Sequence, residues 1–143
     1  MSFLYGGENM VKIDIRSRTP IYEQIIESIR EMVVKGVLRP SDKLPSVREM
    51  AKDMTLNPNT VQKAYQELER QGLICTVRGR GTFICEDIKP KDQEEKINEL
   101  LVEMKKLLVA AIYLGLKKEE VIVEIEKLYE EIREVREGKD DKR

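Results

Sequence analysis

The chain has 143 residues, 41% of them hydrophobic and 37% charged, with a net charge of −1 and no histidine. That is enough apolar material for a core beneath a heavily charged surface, in a chain too short for two large domains. No run approaches the roughly 18 apolar residues of a membrane helix and no secretory signal is visible, so the expectation is a soluble, cytoplasmic protein.

Charge is distributed unevenly. Residues 17–85 carry 11 Lys and Arg against 8 Asp and Glu, whereas residues 86–143 carry 13 against 17. A mildly basic front and an acidic back suit a polyanion-binding head on a tail that faces elsewhere.

Residues 1–10 read as a leader, with Gly6-Gly7 flexible and Met10 a candidate natural start. Residues 11–15 alternate apolar and polar, the pattern of a short edge strand. A first helix is expected from Thr19 as N-cap and Pro20 at the first helical position. Ile21, Ile25, Ile29, Met32 and Val33 then recur at helical spacing, and Gly36 stops the helix. A connector over residues 37–44 carries Pro40 and the turn-forming Ser41-Asp42.

A second helix opens on a capping box, Ser46-Val47-Arg48-Glu49, and buries Val47, Met50, Ala51 and Met54. A third opens on Asn57-Pro58, buries Val61, Ala64, Tyr65 and Leu68, and ends near Gln71-Gly72. Two short β segments, residues 73–77 and 82–84, are joined by Arg78-Gly79-Arg80-Gly81 as a hairpin turn. If Val77 pairs with Thr82, Cys75 and Cys85 lie on opposite faces, so both are expected to be small strand residues without a disulfide. Their spacing, with no histidine in the chain, matches no metal site.

Residues 86–93 turn polar and charged around Pro90 and read as a linker. Two longer helices follow, over residues 93–114 and 117–137, before a frayed tail at residues 138–143. The first repeats Ile97, Leu101, Met104, Leu108 and Ala111, widened by Leu100, Leu107 and Leu114. The second repeats Val121, Ile125, Leu128, Ile132 and Val135 on the same alternation of four and three. A single helical hairpin does not cover two such stripes; a second copy would, as a bundle of about four helices.

The order of helix, helix, helix and hairpin is that of a winged helix-turn-helix. There the second helix of the pair enters the major groove with its first residues toward base edges. Asn57, Asn59, Thr60, Gln62 and Lys63 sit at the start of the third helix, and Asn and Gln can pair with adenine while Lys reaches guanine or phosphate. Arg48 in the first turn of the preceding helix opposes that helix's dipole, a conflict that a nearby phosphate would relieve. Arg78 and Arg80 set two guanidinium groups beside glycines that admit a close backbone approach. Each feature alone also fits a solvated face, a helix cap or a solvent turn; their joint order points to DNA.

The same residues resemble the GntR family of regulators. The resemblance rests on PIYEQI at 20–25, GVLRPSDKLPSVREMA at 36–51, NPNTVQKAYQELERQGLI at 57–74 and RGRGTFI at 78–84. The short two-helix tail is similar to that of the YtrA-type subfamily, in which those helices serve dimerisation. The resemblance implies DNA contacts from Arg48, Asn59, Thr60, Gln62, Arg78, Gly79 and Arg80. Many relatives carry arginine at the positions of Pro58 and Gln62, so base preference need not follow theirs. Asp42 stands where glycine is usual.

The expected architecture is mostly α with a small β-hairpin: a winged helix-turn-helix over residues 11–85 and a dimerising helical hairpin over residues 93–137. The expected function is a bacterial DNA-binding repressor acting as a homodimer on a palindromic operator. Its DNA-binding residues would be Ser46, Arg48, Asn57, Asn59, Thr60, Gln62, Lys63, Arg78, Gly79 and Arg80. Its dimer contacts would come from Ile97, Leu101, Met104, Leu108, Val121, Ile125, Leu128 and Ile132. No cofactor or metal is expected, and the short tail leaves little room for the roughly 300 Å³ of an effector pocket unless the dimer interface forms one. A winged-helix adaptor that binds protein instead of DNA is the alternative. An enzyme is not expected, because no activated nucleophile or phosphate loop is visible.

Overall fold

The computed structural model describes residues 2–5, 8–87 and 93–140, with side chains over residues 11–87 and 93–134. Gly6-Gly7, residues 88–92 with Pro90, residues 141–143 and the Val135 side chain lie outside the described residues. The chain divides into two compact units, residues 1–90 and 91–143.

The first unit opens on two antiparallel strands, β1 (Ser2–Tyr5) and β2 (Glu8–Lys12), which pair from Ser2 opposite Lys12 to Tyr5 opposite Glu8. This corrects the reading of residues 1–10 as a leader. The β2 strand lies against the first helix, and Val11 at its end is fully buried, so the segment is anchored by packing. The strand expected over residues 11–15 is in fact β2, which begins earlier and ends at Lys12.

Helix α1 (Ile21–Val34) buries Ile25, Ile26, Ile29 and Met32. Its N-cap is Pro20 rather than Thr19, and no side chain caps it. Gln24 explains why the entry still holds. Its amide nitrogen donates to the Thr19 carbonyl oxygen at 2.8 Å and to that of Asp14 at 3.0 Å. Its amide oxygen accepts from the Asp14 N–H at 2.8 Å. A buried glutamine thus satisfies three backbone groups and fixes the loop ahead of the helix.

The connector contains a strand that the sequence pattern did not signal, β3 (Lys43–Leu44). Helix α2 (Val47–Met54) starts with both halves of the capping box in place: the Glu49 N–H donates to the Ser46 hydroxyl at 3.1 Å, and the Ser46 N–H donates to the Glu49 carboxylate at 2.8 Å. Helix α3 (Pro58–Arg70) starts with the Asn57 side chain accepting from the Asn59 N–H at 2.9 Å. Caps of this kind contribute about 1 kcal/mol each. Helix α3 buries its expected stripe and α2 buries Met50, Ala51 and Met54, whereas Val47, expected in that stripe, is only half-buried in the first turn; Met50, Met54, Val61 and Leu68 are fully enclosed.

Strands β4 (Ile74–Val77) and β5 (Gly81–Ile84) form the hairpin, and β3 adds to the far edge of β5, giving the order β3-β5-β4. Val77 pairs with Gly81 and Ile74 with Ile84, one residue away from the register assumed on sequence. A one-residue slip moves a strand's side chains to the other face. Cys75 therefore shares a face with Cys85, diagonally across the hairpin, and the two form a disulfide with Cα atoms 5.4 Å apart. The expectation of two separate thiols is overturned by that register.

The second unit is a pair of helices, α4 (Gln93–Tyr113) and α5 (Lys118–Asp140), joined by a turn at Gly115. The last helix runs through Asp140, past the expected start of fraying. No residue of α4 is buried.

Candidate nucleic-acid interface

The geometry of the site follows from two ties between local elements. Lys43 and Leu44 pair with Phe83 and Thr82, so the residues leading into α2 are a strand of the wing sheet. One residue later, the Pro45 carbonyl oxygen accepts a 2.7 Å hydrogen bond from the Tyr65 hydroxyl of α3. Wing, α2 and α3 thus meet at residues 43–46. Tyr65 is buried, and desolvation, with the Glu49 charge adding to it, pushes its phenol well above the usual tyrosine value. It is a core residue with its polar tip satisfied, not a stacking platform.

On α3, Asn59, Gln62 and Lys63 are exposed and Thr60 is half-buried, opposite the enclosed Val61, Ala64, Tyr65 and Leu68. The polar edge can therefore reach base edges while the helix stays packed. Ser46 and Asn57 are exposed but engaged in caps, so their first role here is to fix the starts of α2 and α3. Arg48 is exposed in the first turn of α2. Lys63 has a defined partner: its ammonium lies 3.9 Å from the centroid of the Tyr22 ring on α1. The Tyr22 hydroxyl in turn donates to the Glu23 carboxylate at 2.9 Å, which raises its pKa. Both line a groove of about 510 Å³ between α1 and α3, together with Ile26, Arg30, Glu67 and Arg70.

At the wing tip, Arg78, Gly79 and Arg80 are all exposed. They form a three-residue loop closed by the Arg80 N–H donating to the Val77 carbonyl oxygen at 2.9 Å. Gly79 has φ +80° and open space where a side chain would stand. At Gly81 a Cβ would come 2.9 Å from the Lys43 Cε, so the Lys43 side chain runs beside the hairpin base. Lys43 is the cation that sequence reasoning missed. Only its pairing with Phe83, forty positions further along the chain and beyond what periodicity carries, brings it to the wing.

In the second unit the expected dimer residues are open. Leu101 and Leu128 are 54% and 55% exposed, and Ile97, Met104, Leu108 and Ile125 are likewise exposed, with Val121 and Ile132 half-covered. An apolar groove of about 310 Å³ runs between the helices, lined by Met104, Leu108, Ala111, Val121, Ile125 and Leu128 among others. Among the described residues no helix is long and apolar enough to cross a membrane.

Residues 21–84 match the family described as "Bacterial regulatory proteins, gntR family". The chain is 51% identical over 126 residues to the HTH-type transcriptional repressor YtrA of Bacillus subtilis (strain 168), an alignment spanning 88% of this chain and 92% of that protein. A solved structure described as a transcriptional antiterminator from Listeria monocytogenes EGD-e superposes with a TM-score of 0.78 at 43% identity, over 86% of this chain and 92% of that one. The GntR-family transcription factor YtrA from Sulfolobus acidocaldarius superposes with a TM-score of 0.58 at 39% identity, over 71% of this chain and 99% of that one. Each of these alignments is longer than the first unit, so the likeness extends beyond the winged head into the helical tail.

Proposed function

The chain belongs to the GntR family of bacterial regulatory proteins, and on that premise we propose that it is a cytoplasmic transcription repressor that binds a palindromic operator as a homodimer. The observation that carries this reading is the continuity of β3 with α2: the strand that holds the wing leads within two residues into the helix-turn-helix. One rigid head thereby presents Asn59, Thr60, Gln62 and Lys63 for a major groove, with Arg48 and the wing arginines for phosphates or the flanking groove.

Homodimerisation is supported by the open apolar stripes of α4 and α5. Paired tails would hold two heads on half-sites about one helical turn apart, or a multiple of it. Repression is supported by the name of the B. subtilis relative and by the simplest physical consequence of binding over a promoter, exclusion of polymerase.

The test is fluorescence anisotropy on a duplex selected by the full-length protein from a random-sequence library, with a scrambled duplex as control, from about 50 to 200 mM salt. A preference of about a thousandfold or more for the selected duplex, reduced in Arg48→Ala and Gln62→Ala, is the expected result. Absence of binding at the lowest salt would favour a protein-binding adaptor.

A further inference from the structure

The disulfide spans the base of the wing. Cys75 lies in β4 opposite Phe83, while Cys85 follows β5 and donates its N–H to the Leu73 carbonyl oxygen at 3.0 Å. The loop that the bond closes contains Arg78, Gly79 and Arg80, the whole wing tip. The strands it joins are four residues each, and β4 is the outer strand of its sheet. A ribbon that short has little stability of its own, so a covalent tie removes much of its freedom. The two cysteines also differ in access: Cys75 is exposed, whereas Cys85 is 8% exposed. An exposed cysteine beside a sheltered one is the arrangement of an attacking cysteine and its resolving partner. A repressor reads DNA in a compartment where thiols are kept reduced, and disulfides there are mostly transient or redox-sensing.

We infer that Cys75 and Cys85 are a redox modification site whose substrate class is small-molecule disulfides, and that oxidation tightens the wing on DNA. The inference rests on the DNA-binding reading above. In oxidation the Cys75 thiol gives its proton to solvent and its thiolate attacks one sulfur of RSSR, forming a mixed disulfide and expelling RS⁻. The Cys85 thiol gives its proton to solvent and its thiolate attacks the Cys75 sulfur, forming the protein disulfide and expelling the second RS⁻. The two RS⁻ take up two protons, so the protein loses two electrons and two protons and RSSR becomes two RSH. Reduction reverses these steps, with RS⁻ entering at the sulfur of Cys75, the more exposed of the two residues. The oxidised wing has less conformational freedom left to lose on binding, which is the source of its higher affinity.

The test equilibrates the full-length protein in mixtures of reduced and oxidised glutathione. Alkylation reads the thiol fraction, and anisotropy on the selected duplex reads affinity. The expected result is a two-electron transition within the range of the glutathione couple, with the reduced protein binding about tenfold more weakly. Cys75→Ser and Cys85→Ser should match the reduced protein under both conditions. Linkage then requires the duplex to favour the disulfide by the same factor, a shift of about 30 mV in the midpoint. Equal affinity of the two redox forms would overturn the inference alone. A bond unresponsive to glutathione would overturn it too, while absence of binding by either form would remove the DNA reading and the inference with it.

Discussion

The Tyr65 hydroxyl donates to the Pro45 carbonyl oxygen at 2.7 Å, and this bond ties α3 to the segment that links the wing to α2. Removing the hydroxyl in Tyr65→Phe leaves a part-buried carbonyl without that donor and should cost about 1 kcal/mol in urea unfolding at neutral pH. The effect should also carry a pH signature. Burial holds the phenol neutral above its usual value of 10.0. Above about pH 10 the unfolded chain ionises this phenol while the folded chain does not, so the folded state binds more protons and stability falls as pH rises, by about 1.4 kcal/mol per pH unit from this group. Below that range the contribution is fully present. Urea midpoints of wild type and Tyr65→Phe between about pH 9 and 11 should therefore converge as pH rises; parallel curves would mean that the phenol ionises freely in the fold.

Arg80 and Gln62 should fail in different ways. Arg80 stands at the wing tip, and its loss should weaken the selected and scrambled duplexes alike while lowering the salt slope by about one. Gln62 stands on the exposed edge of α3, and Gln62→Ala should cost about 1–3 kcal/mol on the preferred base pair and little on its substitutes. Anisotropy on single-substituted duplexes separates the two. A salt slope unchanged in Arg80→Ala would place the wing away from phosphate.

What was legible in the sequence was what local chemistry determines. Ser46 and Glu49 are three residues apart, and Asn57 adjoins Pro58, so the caps and starts of α2 and α3 followed from spacing alone, whereas Thr19 ahead of Pro20 misplaced the cap of α1. Pairing between distant residues was not legible. The two-residue strand Lys43–Leu44 exists only because β5 offers it an edge, and no periodicity shows in two residues. The wing register turned on whether Val77 meets Thr82 or Gly81, and that single step decided whether Cys75 and Cys85 share a face. For the candidate site, the exposed edge of α3 was readable as the complement of its apolar stripe. The place of Lys43 beside Gly81 and of Lys63 on Tyr22 required the tertiary fold.

Gly79 should resist substitution for reasons of backbone alone. Its φ is +80° and the space where a side chain would stand is open for 4 Å, so alanine would meet no neighbour yet still adopt a left-handed conformation at a cost of roughly 1–2 kcal/mol. That strain falls on the wing loop, and Gly79→Ala is expected to weaken the selected duplex while leaving far-ultraviolet dichroism unchanged. Wild-type affinity in that variant would show that the tip does not need its glycine geometry to meet DNA.

The last prediction concerns the tail. Leu101 and Leu108 lie on the open stripe of α4, more than two-fifths exposed in a single chain, and burying what remains open would contribute about 1 kcal/mol each. Replacing both, as Leu101→Asp with Leu108→Asp, puts two carboxylates where a partner helix would pack and should yield a monomer by light scattering at micromolar concentration. The head is a separate compact unit, so its cooperative unfolding should survive. Affinity for a full palindrome should drop by a factor of about a hundred or more, because the second head no longer binds at the high effective concentration set by its tether. Affinity for a lone half-site should stay the same. A double variant that remains dimeric would move the interface off this face of α4.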